Sequence, residues 1–244
     1  GGPHSAFFAS SNEYTRYMPG RIVGKTIDRN NNECFRLAMQ TREQHIKKER
    51  ASSNICTSQA LLANVSSMYA VSHGKKNLKN LATDIFLKTK TIKDILKERG
   101  FKIDNNENFF DTFSFECFNE SSNIYKSLKY NGYETRLTND IISISLNENI
   151  TNEDCVNIIN SIIIFKENTN LKKMGVSEFK LRLYDTKRNT NFKNLKIYRN
   201  NNFLNQKIFE KEKTETEMLR YINKLSDKDY SLVNGIIPLG SCTM

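Results

Sequence analysis

The distribution of hydrophobic positions predicts a β-rich start to the chain, followed by helices. Short apolar runs at residues 5–9, 21–28 and 34–39 flank turn-forming residues, a pattern typical of strands. From Asn54 onward the apolar positions recur every three or four residues, which predicts a helix. The apolar stripe of this helix comprises Ile55, Leu61, Leu62, Val65, Met68 and Tyr69. We expect the stripe to lie in a core, with the Ala- and Ser-rich remainder packed closely on its neighbours.

Two glycine residues are predicted to mark the limits of a second helix. Gly74 precedes a second amphipathic helix, and Gly100 is placed to end it, because glycine readily adopts the left-handed conformation of a helix C-terminus. The apolar face of this helix comprises Leu78, Leu81, Ile85, Ile92 and Leu96. We expect this face to be buried.

Beyond Gly100 the pattern predicts alternating strands and helices. Apolar and polar residues alternate at 112–117 and 142–146, as in half-buried strands. A short amphipathic helix is predicted near residues 122–131, and Thr151 precedes another with Val156 and Ile159 on its inner face. This order predicts a compact α+β layer over residues 75–167.

The last part of the chain is mostly polar. Residues 168–213 are rich in Lys and Asn and weakly periodic, so we expect a long surface connection. A capping box is predicted at Thr214 and Glu217, followed by a short helix with Leu219 and Ile222 on its apolar face. Residues 235–244 are expected to be extended.

Composition and charge narrow the class of protein. With 244 residues and 38% hydrophobic residues, the chain can form one sizeable core or two small ones. A formal net charge of +10 suggests nucleic acid or an anionic membrane as a partner. The abundance of Lys and Asn is typical of drift in an AT-rich genome, however, so we expect neither nucleic acid nor membrane binding. The chain starts at Gly1 without an initiator Met, and we expect it to be a piece of a longer protein.

Candidate chemistry is concentrated in residues 41–57. Arg42, His45 and Lys47 are cationic, but Glu43 and Glu49 interleave with the basic residues, so a solvated, salt-bridged face competes with an anion-binding one. Cys56 in the first helical turn after Asn54 is either a thiol with a lowered pKa or a buried small hydrophobic residue.

Other motifs do not decide between these readings. The five cysteines contain no CxxC pair, which favours neither a zinc site nor a disulfide framework and makes a reducing compartment the default. The three histidines have no metal-site spacing, so we expect no metal. No GxSxG, P-loop or GxGxxG motif occurs.

Several sequence blocks, taken in order, resemble the P-protein family of the glycine cleavage system, the pyridoxal phosphate-dependent glycine dehydrogenases (decarboxylating). The blocks are GGPHSAFFA (1–9), MPGRIVG (18–24), LAMQTREQHIKKERASSNICTSQALLAN (37–64), FFDT (109–112), ISISLNE (142–148), TETEMLRYINKLSDKDYSLV (214–233) and IIPLGSCTM (236–244). They cover about half of the chain and span both of its ends.

The resemblance implies an α/β chain with the aminotransferase-like fold, PLP fold type I. Residues 1–74 would form the end of a large domain in the first half, and residues 75–167 a small α+β domain. Residues 168–213 would connect the halves, and residues 214–244 would begin the second half of a fused protein. The lysine that binds pyridoxal phosphate lies in the second half of this family, beyond Met244.

The resemblance also implies a reaction and its partners. The whole protein would decarboxylate glycine with pyridoxal phosphate as the electron sink and pass the aminomethyl group to the lipoyl arm of the carrier H-protein. This piece alone would be inactive, would need its own second half, and would belong to a homodimer. The compartment would be the bacterial cytoplasm or the mitochondrial matrix.

Site residues are expected in three groups. The edge of the cofactor pocket would be formed by Ser241, Cys242 and Thr243. A channel for the lipoyl arm, where the halves meet, would involve Arg42, Glu43, Gln44, His45, Asn54 and Cys56. The acidic carrier would be attracted by Lys47, Lys48 and Arg50.

The chain departs from the family pattern at a few positions. Glu212 and Lys213 precede Thr214 where the family has Tyr and His, and Gln206 replaces a histidine. Two alternatives to the enzyme remain open at this stage: a basic module that binds RNA or acidic proteins, and a scaffold without the lysine. Aromatic residues clustered beside arginine would favour RNA, but Phe113 and Phe115 alternate as in a core strand.

Overall fold

The computed structural model describes residues 5–18, 22–38, 49, 60–104, 108–117, 119–166, 172–211, 214–228 and 233–236. The helices and strands in chain order are β1 (Ile22–Ile27), β2 (Glu33–Ala38), α1 (Ala60–Glu98), β3 (Lys102–Ile103), β4 (Thr112–Glu116), α2 (Ser121–Tyr130), β5 (Arg136–Thr138), β6 (Ile141–Ser145), α3 (Asn152–Ile163), α4 (Val176–Asn189) and α5 (Glu215–Ser226). Residues 2–69 and residues 70–244 form two compact units.

The first unit contains an antiparallel hairpin of β1 and β2, in which Lys25 lies opposite Phe35. Its turn is held by Asp28, whose Oδ1 accepts hydrogen bonds from the backbone N–H groups of Asn30 at 2.8 Å and Asn32 at 2.9 Å. These bonds fix a local turn that the Asp and Asn residues favour. The two strands predicted at 21–28 and 34–39 are therefore confirmed over their described residues.

The predicted strand at residues 5–9 is wrong. Residues 5–10 form no strand, and the Phe7 side chain is 92% exposed. An apolar run of this length becomes a strand only when a neighbouring strand pairs with it, and none does so among the described residues.

Helix α1 contains both helices predicted on either side of Gly74. Gly74 lies at φ 63° and ψ 175°, outside helical geometry, and therefore marks the predicted break. Gly100 follows the end of the helix with φ 81°, and the Phe101 N–H donates to the Leu96 carbonyl at 3.0 Å. These positive φ values are the reason for glycine at both positions.

The first part of α1 does not bury its apolar stripe, contrary to our expectation of a core. Leu61 is 69% exposed and Val65 is 45% exposed. Periodicity predicted the helix correctly, but burial depends on a partner surface that the described residues do not provide. After Gly74 the expected face is buried from Ile85 onward, with Ile92 and Leu96 both 0% exposed, whereas Leu78 and Leu81 are half-buried.

The core of the second unit lies between an antiparallel sheet and the helices α1, α2 and α3. The strand order is β3-β4-β6-β5, and Phe113 and Phe115 lie opposite Ile144 and Ile142. All of these side chains are buried. Four of the alternate positions carry hydroxyl groups, and the Ser114 Oγ lies 2.8 Å from the Ser143 Oγ. The predicted α+β layer is thus an alternating sheet with one apolar face.

Two helices of the second unit begin with capping boxes. At α3, the Asp154 N–H donates to the Thr151 Oγ1 at 3.0 Å, and the Thr151 N–H donates to the Asp154 Oδ2 at 2.9 Å. At α5, the predicted box of Thr214 and Glu217 has the same reciprocal bonds. Each box satisfies N–H groups that have no partner within the helix.

Residues 168–213, expected to form a long surface connection, contain helix α4, which was not predicted. Phe179 is fully buried, Val176 and Leu183 pack against the core, and the Asn160 side chain exchanges hydrogen bonds with the Met174 backbone. These three apolar residues, spaced at i, i+3 and i+7, form the inner face of α4. The other positions of α4 are mostly polar or charged, so its helical periodicity is weak and the helix was not predicted.

Candidate functional site

The described residues form a cleft of about 460 Å³ beside helix α1, where the end of α4 provides the opposite wall. We call it the α1–α4 cleft. It is lined by Phe86, Lys90, Lys93, Asp94, Lys97, Ile103, Asp104, Phe109, Asn189, Thr190, Asn191 and Leu195. Its volume lies within the range of about 300–1,000 Å³ that is typical of sites for small ligands.

Helix geometry brings three lysines to this cleft. Lys90, Lys93 and Lys97 are spaced by three and four residues, so they project from successive turns of one face of α1. The Lys90 Nζ lies 2.9 Å from the Asp94 Oδ2. The Lys93 Nζ lies 4.1 Å from the centre of the Phe109 ring, which stacks on Phe86 with 5.3 Å between ring centres.

The environment of Lys93 lowers the pKa of its amine. Burial lowers the pKa of Lys93, Asp104 and Asp94 oppose this effect, and the neighbouring positive charges of Lys90 and Lys97 add to it. Burial is the largest of these causes, so the Lys93 amine is partly dehydrated. The lining of the cleft thus combines three lysines and two aspartates with apolar side chains.

Two of the described cysteines, Cys117 and Cys155, are unsuited to thiolate chemistry near neutral pH. Burial raises the pKa of Cys117 to about 11 and that of Cys155 to about 12. The thiolate is the reactive form of cysteine, so both groups act as small core residues.

The described residues contain neither a candidate metal centre nor a helix suited to span a membrane. No group of three or more His, Cys, Asp and Glu side chains within the described ranges is arranged to hold a metal ion. Among the helices of these ranges, none combines the length and the apolar character that crossing a membrane requires.

The site residues predicted from the sequence lie outside the described residues. This holds for Ser241, Cys242 and Thr243, for Arg42, Glu43, Gln44 and His45, for Asn54 and Cys56, and for Lys47, Lys48 and Arg50. Their roles stay predictions. The lysines of the α1–α4 cleft were not predicted, because one wall of the cleft is formed at the end of the unpredicted helix α4.

The model of the glycine cleavage system P-protein family matches residues 1–162, which include the hairpin, the sheet and most of α3. The chain belongs to the glycine cleavage system P-protein family. The resemblance inferred from the sequence blocks is thereby confirmed. The match does not support the alternative of a basic RNA- or protein-binding module.

Curated P-protein relatives align with the whole chain. The glycine dehydrogenase (decarboxylating) of Pelagibacter ubique is 41% identical over 245 residues, and that of Nostoc punctiforme is 42% identical over 246 residues. The mitochondrial glycine dehydrogenase (decarboxylating) of Dictyostelium discoideum is 40% identical over 245 residues. Each alignment covers 100% of this chain and 24% of the relative, so the chain spans about a quarter of their length.

A solved structure supports the fold. The crystal structure of a glycine decarboxylase (P-protein) of the glycine cleavage system, in inhibitor-bound form, matches with a TM-score of 0.55 and 23% identity. The match covers 64% of this chain and 37% of that chain. The chain is accordingly a mixed α/β P-protein segment with small sheets.

Proposed function

We propose that this chain is a section of a glycine dehydrogenase (decarboxylating), the P-protein that releases carbon dioxide from glycine and transfers the aminomethyl group to the lipoyl arm of H-protein. The observation that carries the proposal is the identity of about 40% to such enzymes along the entire chain. The hydrophobic periodicity alone would not identify the enzyme, because many α+β domains of unrelated function share the same pattern.

We propose the aminotransferase-like arrangement for the whole protein. In this arrangement residues 1–74 end a large domain, residues 75–167 form a small domain, residues 168–213 connect the halves, and residues 214–244 begin the second half. An antiparallel sheet with helices on one face, as in β3–β6, suits the small domain of such a fold. Helix α4 then belongs to the connection between the halves.

The lining of the α1–α4 cleft does not fit pyridoxal phosphate. The cofactor needs a lysine for its aldehyde and N–H donors for its phosphate. The cleft is lined by side chains from Phe86 to Lys97 of α1 and by the end of α4, so the amino-terminal N–H groups of neither helix reach it.

We propose three roles for residues that lie outside the described ranges. Ser241, Cys242 and Thr243 edge the cofactor pocket. The segment from Arg42 to His45, with Asn54 and Cys56, lines a channel for the lipoyl arm. The basic residues Lys47, Lys48 and Arg50 attract the carrier, since a basic rim steers an acidic partner.

We propose glycine, lipoylated H-protein, the second half of the protein and a second copy as partners. The bacterial cytoplasm and the mitochondrial matrix are both consistent with the sources of the relatives, which include bacterial and mitochondrial enzymes.

A segment exchange tests the proposed function. The aligned segment of the Pelagibacter ubique enzyme is replaced by this chain, and release of labelled carbon dioxide from carboxyl-labelled glycine is measured with lipoylated H-protein. We expect the hybrid to decarboxylate glycine and the 244-residue chain alone to be inactive. A hybrid carrying Phe115→Asp, which places a charge in the core, serves as the inactive control.

The result that contradicts the proposal is equally specific. A hybrid that is folded, binds pyridoxal phosphate with the parent's absorbance, and yet shows no H-protein-dependent release would mean that this chain does not perform the role of the segment it replaced. Retained cofactor binding separates this outcome from simple misfolding.

A further inference from the structure

The sequence contains two Asn-Gly pairs, Asn131-Gly132 and Asn234-Gly235. In such a pair the backbone nitrogen of the glycine can attack the side-chain carbonyl carbon of the asparagine, because glycine has no Cβ to block the approach. Both asparagines are exposed. Exposure to water therefore does not distinguish the two pairs, and a difference in reactivity must come from their local structure.

The backbone of the first pair is fixed by the end of helix α2. Asn131 follows the helix with φ −83° and ψ 8°, and Gly132 has φ 86°. The Gly132 N–H donates to the Lys129 carbonyl at 3.0 Å, and the Tyr133 N–H donates to the Leu128 carbonyl at 2.9 Å, which is the Schellman arrangement. At a ψ near zero the Gly132 nitrogen is turned away from the Asn131 Cβ, so attack on the side chain requires these bonds to break.

The side chain of Asn131 is held in place as well. Its Nδ2 donates to the Ser127 carbonyl at 2.9 Å and to the Ser161 Oγ at 3.1 Å. Ser161 belongs to α3 and is only 7% exposed, so this bond attaches the amide to the packed core. The attacked carbon and the leaving amide are therefore both restrained, and reaction at Asn131 requires local opening of the helix end.

The second pair has weaker restraints. Among the described residues, none forms a hydrogen bond with the Asn234 side chain. Asn234 lies in a turn outside any helix or strand, and the neighbouring Val233 and Ile236 are 93% and 89% exposed. Side-chain packing therefore offers little resistance to the backbone rotation that brings the Gly235 nitrogen toward the Asn234 side chain.

We propose that Asn234 is a site of spontaneous deamidation, whereas the identical pair at Asn131 is protected by the fold. The Gly235 nitrogen forms a bond to the Asn234 Cγ, the bond from Cγ to Nδ2 breaks, and the amide leaves as ammonia with the proton of the Gly235 nitrogen. Water then opens the cyclic imide at one of its two carbonyl carbons. Opening at Cγ gives aspartate, and opening at the main-chain carbon gives isoaspartate. The proposal does not depend on the function proposed above.

The two pairs can be compared within one molecule. The folded 244-residue chain is kept in mildly alkaline buffer, and mass spectrometry of its peptides measures the fraction of each asparagine converted with time. We expect Asn234 to react at least about tenfold faster than Asn131, because Asn131 reacts only from a locally opened state. Equal rates at the two sites, or a faster reaction at Asn131, would overturn the proposal.

The same measurement in concentrated urea separates the fold from the flanking sequence. Unfolding breaks the hydrogen bonds of Asn131 and Gly132, so we expect the two asparagines of the unfolded chain to react at rates within about threefold of each other. If Asn131 stays slow in urea, its flanking residues and not the helix end protect it, and the proposal is refuted.

A matched pair of serine variants tests the protection of Asn131. Ser161→Ala removes one acceptor of the Asn131 amide, whereas Ser122→Ala makes the same change at an exposed position in the first turn of α2. We expect Ser161→Ala to accelerate the reaction at Asn131 by about two- to tenfold, the effect of one hydrogen bond, and Ser122→Ala to leave it unchanged. An unchanged rate at Asn131 in a Ser161→Ala variant with the parent's circular dichroism spectrum would contradict the proposed protection.

A third variant tests the chemistry at Asn234 without touching the core. Gly235→Ala places a Cβ beside the attacking nitrogen, and we expect it to slow the reaction at Asn234 at least about tenfold while the rate at Asn131 stays the same. An unchanged rate at Asn234 would show that the neighbouring backbone nitrogen does not attack the side chain, and would overturn the proposed reaction.

Discussion

The capping box at the start of α3 provides a sharp test of how local structure supports the core. The Thr151 hydroxyl donates to the Asp154 Oδ2 at 2.6 Å and accepts from the Asp154 N–H at 3.0 Å. The Tyr133 hydroxyl donates to the other carboxylate oxygen at 3.0 Å. Replacing Thr151 by Ala removes both hydroxyl bonds and leaves one N–H of the first helical turn without its partner.

The loss should reach the whole core, because α3 is packed throughout its length. The buried residues of α3 are Cys155, Val156, Ile158, Ile159, Ser161, Ile162 and Ile163. Loss of a Ser or Thr cap costs about 1 kcal/mol, within a range of about 0.5–2 kcal/mol. We therefore expect Thr151→Ala to lower the free energy of unfolding by about 1 kcal/mol.

The pH dependence of this variant follows from the same bonds. Hydrogen bonds from Thr151, followed by that from Tyr133 and the charge of Lys88, lower the pKa of Asp154 below its ordinary value of 3.8, although burial opposes them. A lowered folded-state pKa contributes stability that is present above the unfolded value and is lost as the pH falls through the folded value. Without the hydroxyl the pKa of Asp154 moves back toward 3.8, so we expect Thr151→Ala to lose less stability on acidification than the parent.

The assay is urea unfolding followed by far-UV circular dichroism, since the chain contains no tryptophan for fluorescence. The matched control is Thr214→Ala, which removes the same box from α5, a helix that buries no residue. We expect the control to change the helical signal before unfolding but to leave the midpoint of the core transition in place. If both variants shift that midpoint equally, the coupling of the α3 box to the core is refuted.

Three further substitutions or reactions have defined outcomes. Phe115→Ala should lower the unfolding free energy by about 3–5 kcal/mol, because the ring is 1% exposed and a cavity would remain; a urea midpoint within error of the parent would contradict this. Gly100→Ala should cost about 1–2 kcal/mol, because its φ of 81° is unfavourable for a residue with a Cβ; thermal unfolding measures it, and unchanged stability would show that the turn relaxes. Thiol labelling at about pH 8, read by mass spectrometry of peptides, should modify half-buried Cys34 well before Cys155, which is fully buried; simultaneous labelling would contradict the core position of Cys155.

Local sequence signals predicted most elements of the second unit. The helices α2 and α3 and the capping box of α5 rest on interactions between residues close in the chain. The strands β4 and β6 were predicted from their apolar alternation, although they pair with each other across a long separation in sequence. The glycine signals at Gly74 and Gly100 were equally reliable, because positive φ is a property of a single residue. Short strands such as β5 were missed, since three residues carry too little alternation to be distinguished from a loop.

The site was less predictable than the fold. The cleft lysines appear in sequence as ordinary surface positions of an amphipathic helix, and only the end of α4 and the segment near Leu195 give them an opposite wall. The predicted roles of Arg42, Ser241 and the related residues came from resemblance and lie outside the described ranges.

By itself the sequence determined the family, the helix limits at Gly74 and Gly100, and the apolar alternation of β4 and β6. These properties depend on residue identity and on spacing along the chain. Only the tertiary structure decided which apolar faces are buried: Ile92 and Leu96 have partners, whereas Leu61 remains exposed on the same helix. Burial and cleft formation require surfaces distant in sequence to meet, and this is why the lysines of α1 line a cleft only in the folded chain.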